Sequence, residues 1–109
     1  MADVRSVRRV LVVDDEHEVR ASFQRAFTRA GKGVFVAADA ATALRIAIAE
    51  RPDLAVVDLR LGGAWGLDLI KELQTHVPEA EIALVSAVVG LDAALEALHG
   101  FSNTYRQVL

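Results

Sequence analysis

Ala55-Val56-Val57-Asp58-Leu59-Arg60-Leu61 is the stretch on which the fold of this chain turns. An apolar, mostly β-branched run meets a single acid, and Gly62-Gly63 follows. A short apolar run closed by turn residues predicts a strand buried on both faces, as in parallel sheets. Asp58 then stands at the carboxyl end of that strand, facing the crevice in which open α/β sheets bind their ligands. Taken alone, an acid at such a place also serves as an ordinary turn or cap residue. The rest of the chain decides between the two.

Upstream, Val10-Leu11-Val12-Val13 is a second apolar run ended by acids, Asp14-Asp15-Glu16, and predicts the first strand. The same acids would suit a solvated helix start, where the macrodipole favours negative charge. Val19, Phe23, Ala26, Phe27 and Ala30 then follow one helical face, with Gly31 as the stop. Gly33–Ala37 predicts a strand, and a second helix runs from about Ala40 to Glu50 with Leu44, Ala47 and Ile48 inward, ended by Pro52. Downstream of Asp58 come a loop over Gly62–Gly66 and a helix from about Leu67 to His76 that buries Ile70, Leu73 and Val77. Ile82–Val85 is the fourth strand, followed by Ser86-Ala87 and a helix from about Leu91 to Leu98. Thr104–Leu109 alternates poorly and is read as a short fifth edge strand. Strands alternating with helices predict βαβ crossovers and a parallel sheet.

The chain has 109 residues, enough for one core. With a net charge of −3 it offers no basic surface for nucleic acid, and without cysteine it has no thiolate chemistry. Arg5, Arg8 and Arg9 precede the first apolar run, but that run meets Asp14 too soon for a signal peptide, and no segment is long enough to span a bilayer. A cytoplasmic protein with no membrane contact is expected. His17, His76 and His99 fall on different elements and suggest no metal or catalytic pair.

In a doubly wound sheet the carboxyl ends of the strands share one edge, which gathers Asp14, Asp15, Asp58 and Ser86. Carboxylates this close raise each other's pKa unless a cation lies between them. Hard oxygen donors of this kind suit Mg²⁺, which favours one or two carboxylates, waters and a phosphate. Phosphoryl chemistry is favoured over acid–base hydrolysis, for which no general acid is evident, and the chain is expected not to be an enzyme.

Val12-Val13-Asp14-Asp15-Glu16, Val56-Val57-Asp58 with Gly66, and Val85-Ser86-Ala87 together resemble the receiver domain of two-component response regulators over about residues 8 to 98. Asp58-Leu59-Arg60-Leu61 with Gly66-Leu67-Asp68 is most similar to redox-responsive regulators carrying a helix-turn-helix output domain. The resemblance implies a flavodoxin-like α/β fold, a doubly wound parallel sheet of five strands in the order 2-1-3-4-5. It implies that Asp58 accepts a phosphoryl group from a sensor histidine kinase, with Mg²⁺ or Mn²⁺ as cofactor. Asp14, Asp15, Asp58 and the backbone carbonyl of Arg60 match the family's metal ligands, Asp14 holding a metal-bound water. Ser86 and Tyr105 match its switch residues, although Ser86 also suits a helix cap and Tyr105 a packing role.

The C-terminal end departs from the family pattern. Val108 and Leu109 stand where the family has Lys-Pro, and Gly62 stands where a proline is usual, which predicts a looser loop. No length remains for the fifth helix, so residues 1–109 are read as one C-terminally incomplete receiver without an output domain. Val10, Val12, Val56 and Leu84 are then expected to be left uncovered, which would favour self-association. The alternative function is that of a degenerate pseudo-receiver, an interaction module that works without phosphorylation.

Overall fold

The computed structural model describes residues 7–61, 64–85 and 105–108. The chain begins with β1 (Arg9–Val13), α1 (His17–Arg29), β2 (Gly33–Ala37), α2 (Ala40–Glu50) and β3 (Leu54–Asp58). It continues with β4 (Arg60–Leu61), β5 (Ala64–Trp65), α3 (Gly66–His76), β6 (Glu81–Val85) and β7 (Tyr105–Val108). Five parallel strands form one sheet in the order β2-β1-β3-β6-β7, which is 2-1-3-4-5 counted within that sheet. The expected flavodoxin-like architecture, including the short fifth strand, is therefore present.

Strand alternation splits the core in two. Leu11, Val13, Ala55, Val57, Ile82 and Leu84 join Ala43 and Ala47 of α2 and Leu69, Ile70 and Leu73 of α3. Val10, Val12, Val56, Ala83 and Val85 form the other cluster, against which Phe23 and Phe27 of α1 pack. The two rings stack with centroids 6.2 Å apart.

This corrects the expectation of an uncovered face. Val10, Val12 and Val56 are at most 4% exposed, and Leu84, also buried, belongs to the opposite cluster. Phe23 and Phe27 of α1 pack against the cluster that holds Val10, Val12 and Val56, and the bare face that would have favoured self-association is not there. The predicted helix at Leu91–Leu98 lies outside the described residues.

Local chemistry sets the helix limits. After α1, Gly31 takes φ +81°; its N–H donates to the Thr28 carbonyl and the Lys32 N–H to the Phe27 carbonyl, closing the helix in a left-handed cap. Of the predicted inner face, Val19, Phe23 and Phe27 are partly covered, whereas Ala26 and Ala30 are exposed. Asp39 caps α2 by accepting from the Thr42 N–H at 2.8 Å. The inner stripe of α2 is Ala43 and Ala47, with Leu44 half-buried; Ile48, expected inward, is 46% exposed. Two alanines at the contact let α2 lie close to the sheet and turn Ile48 outward. In α3, Ile70 and Leu73 are buried as expected, and so is Val77 just beyond it.

One feature the sequence pattern did not reveal is the hairpin after Asp58. β4 and β5 pair antiparallel, Leu61 opposite Ala64 and Arg60 opposite Trp65. Gly62-Gly63, the two intervening residues, is a recognised two-residue hairpin sequence and was the available cue.

At the opposite edge of the sheet, Asp53 ties the entry of β3 to the entry of β1. Its Oδ2 accepts from the N–H groups of Arg8 and Arg9, both at 2.9 Å. Those bonds hold its carboxyl below the usual carboxylate range.

Candidate functional site

Strand order reverses between β1 and β3: the chain leaves β1 for β2 on one side and continues from β3 to β6 on the other. That switch point leaves a crevice beyond the carboxyl ends of β1 and β3. Val13 pairs in register with Val57, so Asp14 and Asp58 follow at the same level.

One carboxylate oxygen from each of Asp14, Asp15 and Asp58 lies within 4.8 Å of the others. Asp14 is 5% exposed and is the buried charged residue among the described ones; Asp58 is half-buried and Asp15 exposed. The predicted acids therefore meet, although 43 positions separate Asp15 from Asp58.

Their electrostatics follow from crowding and burial. Asp58 is pushed up to about 6, first by burial and then by the neighbouring charges of Asp14, Asp15 and Glu16, while the N–H of Arg60 pulls the other way. That N–H donates to Asp58 Oδ1 at 3.1 Å. Asp14 is also raised, chiefly by burial, with its bond from the Glu16 N–H (2.9 Å) opposing. Two raised carboxyls beside a third acid form a cluster that a cation would relieve.

The donor set fits a hard divalent ion. An octahedral Mg²⁺ shell with Mg–O near 2.1 Å spans about 4.2 Å between opposite oxygens, close to the spread of the three acids. Asp14, Asp15 and Asp58 would hold such an ion, with Arg60 at the strand edge beside them.

One residue at the site, Arg20, was not singled out from the sequence, and Gly66 was quoted there only as part of the motif. Arg20, six residues past Asp14, donates from Nη1 to the Asp14 carbonyl at 2.8 Å. No sequence cue marks that contact, which depends on how α1 leaves β1. Gly66 brings the hairpin back onto β3: its N–H donates to the Leu59 carbonyl at 2.7 Å. A Cβ at Gly66 would lie 2.1 Å from the Asp58 carbonyl oxygen, so only glycine fits. A glycine opening a helix just after a strand is the sequence cue for such close approach.

Ser86 lies outside the described residues. Tyr105 opens β7 opposite Ile82, and β7 carries Val108 to the level of Val85, itself opposite Asp58. Val108 thus shares a row of the sheet with Asp58, where the family pattern calls for lysine.

Residues 10–105 match the response regulator receiver domain. The chain belongs to the receiver domain family of response regulators. It is 31% identical over 93 residues to the regulatory protein AtoC of Escherichia coli, covering 85% of this chain and 20% of that protein. It is 30% identical over 88 residues to sporulation initiation phosphotransferase F of Bacillus subtilis, covering 81% and 71% respectively. With the transcriptional regulatory protein PrrA of Mycobacterium tuberculosis the identity is 33% over 97 residues, 89% of this chain but 42% of the relative. The chain thus spans less than half of AtoC and PrrA.

Among solved structures, the receiver is similar to a response regulator from Burkholderia pseudomallei that carries a phosphorylated aspartic acid, a calcium ion and citrate. The TM-score is 0.80 at 30% identity, over 92% of this chain and 59% of the other. A two-component response regulator of the LuxR family from Aurantimonas gives 0.78 at 31% identity, over 94% of this chain and 74% of the other. Receiver domains bind a divalent metal through acidic residues, and the acid cluster of this receiver is of that kind. Among the described residues no helix is long and apolar enough to cross a membrane.

Proposed function

We propose that this receiver accepts a phosphoryl group on Asp58 from a sensor histidine kinase, in a reaction that needs Mg²⁺ or Mn²⁺, and that it works in the cytoplasm as an acceptor rather than as an enzyme. The convergence of Asp14, Asp15 and Asp58 at the switch point carries this reading. An Asp58 oxygen attacks phosphorus as the phosphorus–nitrogen bond to the donor histidine breaks, and the imidazole departs with that bonding pair. With its pKa near 6, the Asp58 carboxyl is mostly ionised at neutral pH and available as nucleophile. The N–H of Arg60 holds one of its oxygens, leaving the other to react. The bound cation would neutralise charge on the acids and on the phosphoryl oxygens. Asp14, Asp15 and the Arg60 carbonyl are the proposed ligands beside Asp58, and Ser86 and Tyr105 the proposed switch.

The test is intact-mass analysis of the chain with a small phosphodonor such as acetyl phosphate, with and without Mg²⁺. A Mg²⁺-dependent phosphoryl adduct absent from Asp58→Asn supports the assignment; an adduct that persists in that variant places the site elsewhere.

A second reading, the phosphorylation-independent interaction module, is favoured by one observation. Val108 occupies the row of Asp58, and an aliphatic residue there offers no positive charge to a phosphoryl oxygen. Transfer that stays absent at saturating Mg²⁺ and donor would select this reading.

A further inference from the structure

Three hydrogen bonds close the turn that carries the acid pair. Asp14 Oδ1 accepts from the Glu16 N–H at 2.9 Å, and the Glu16 carbonyl accepts from the Arg20 N–H at 3.1 Å. Arg20 Nη1 then donates to the Asp14 carbonyl at 2.8 Å. Arg20 therefore grips the turn at both ends, by its main chain at Glu16 and by its side chain at Asp14. It fastens the end of β1 to the first turn of α1.

We propose that Arg20 is a positioning residue for the divalent-cation pocket: its guanidinium, by holding the Asp14 carbonyl, fixes the backbone from which Asp14 and Asp15 meet Asp58. The proposal rests on the cation site inferred above. The carboxylates repel one another, so the turn must be held against that repulsion before any ion arrives. The Asx bond at Asp14 constrains the start of the turn, but Asp15 is exposed and takes its position from the backbone on either side.

The charge of Arg20 works in the opposite sense. A guanidinium near the acids lowers the Asp14 pKa and repels an incoming divalent ion. Removing the side chain should tighten cation binding if the charge dominates and weaken it if the bond dominates. Arg20 contacts a carbonyl rather than a carboxylate and is partly open to solvent, so its charge is screened while its bond is not. The bond wins.

The experiment is Mg²⁺ titration by calorimetry of the full chain and of Arg20→Met, Arg20→Gln and Arg20→Lys, with phosphoryl uptake from acetyl phosphate followed in parallel. Arg20→Met, which keeps length without a donor, should weaken Mg²⁺ binding about tenfold, the usual effect of losing a group that orients a ligand. Arg20→Lys should recover most of the affinity, and uptake by Arg20→Met should return to the parent rate at saturating Mg²⁺. Unchanged or tighter Mg²⁺ binding by Arg20→Met overturns the proposal. Should Arg20→Met fail to fold, the folded pair Arg20→Lys and Arg20→Gln decides: binding tighter in Arg20→Gln than in the parent assigns the role to charge and overturns it. A parent that binds Mg²⁺ yet takes up no phosphoryl group defeats the acceptor reading and leaves the role of Arg20 standing. A parent that binds no Mg²⁺ overturns both.

Discussion

Gly66 lies so close to Asp58 that a Cβ on the glycine would sit 2.1 Å from the Asp58 carbonyl oxygen. The obstacle is main chain in a buried strand, which cannot swing aside as a side chain tip would. Gly66→Ala must push α3 and the hairpin away from β3, at a cost typical of overpacking, about 1–3 kcal/mol. Urea denaturation should show that loss, and phosphoryl uptake by Asp58 should slow in the folded fraction. An alanine variant as stable as the parent would mean that the approach is looser than the backbone geometry gives.

Asp58 titrates near 6 in the folded receiver, above the ordinary value of 3.8, so the fold binds its proton more tightly than the unfolded chain does. Its contribution is fully present below the unfolded pKa and is lost as pH rises through the folded one. At pH 7 without a divalent ion, the ionised Asp58 therefore destabilises the domain. Asp58→Asn should be more stable than the parent at neutral pH by about 1 kcal/mol, once the shift is discounted for an acid partly open to solvent. The gap should close at roughly pH 4 and below, as urea midpoints across pH would show.

Asp53 behaves in the opposite way. Its folded pKa is depressed, first by the N–H of Arg8, so its stabilisation is present above the unfolded pKa and lost as pH falls through the folded one. Asp53→Ala leaves two strand-entry N–H groups without their shared acceptor and should cost about 1–2 kcal/mol at neutral pH. The difference from the parent should shrink as pH falls below the ordinary carboxylate range, the reverse of the profile for Asp58→Asn.

Divalent metal should raise the melting temperature by relieving repulsion among Asp14, Asp15 and Asp58. At about ten times its dissociation constant, Mg²⁺ adds roughly 1.4 kcal/mol. Asp15→Asn should melt higher than the parent without metal and gain little from it. Trp65, whose backbone pairs with Arg60, offers a fluorescence probe of the same titration. A parent that melts at one temperature with and without Mg²⁺ would remove the basis for a cation at this site.

The sequence carried the parts of this site that depend on period and order. Apolar runs ended by acids mark β1 and β3, and the order of elements in a parallel sheet brings Asp14 and Asp15 to Asp58. What escaped it depends on tertiary geometry. The bond from Arg20 to the Asp14 carbonyl follows from the angle at which α1 leaves the sheet, which no pattern of side chains encodes. Ile48 was misread because a helix that docks through Ala43 and Ala47 turns its larger neighbour outward, against the ordinary apolar rank. The burial of Val10, Val12 and Val56 was misjudged because a strand pattern does not show which elements settle on its face, where Phe23 and Phe27 join their cluster.

The strand β3 has an aspartate at each end: Asp53, satisfied by main-chain N–H groups, and Asp58, crowded by other acids. Four residues separate an anchor from a liability. Substitutions that silence chemistry at the crowded end relax the domain, whereas those at the anchored end loosen it. Such a scaffold loses signalling more easily than it loses shape. A lineage that drops the Asp58 carboxylate would inherit a better-folded domain at no structural penalty, and that asymmetry makes silent receivers an accessible outcome of drift.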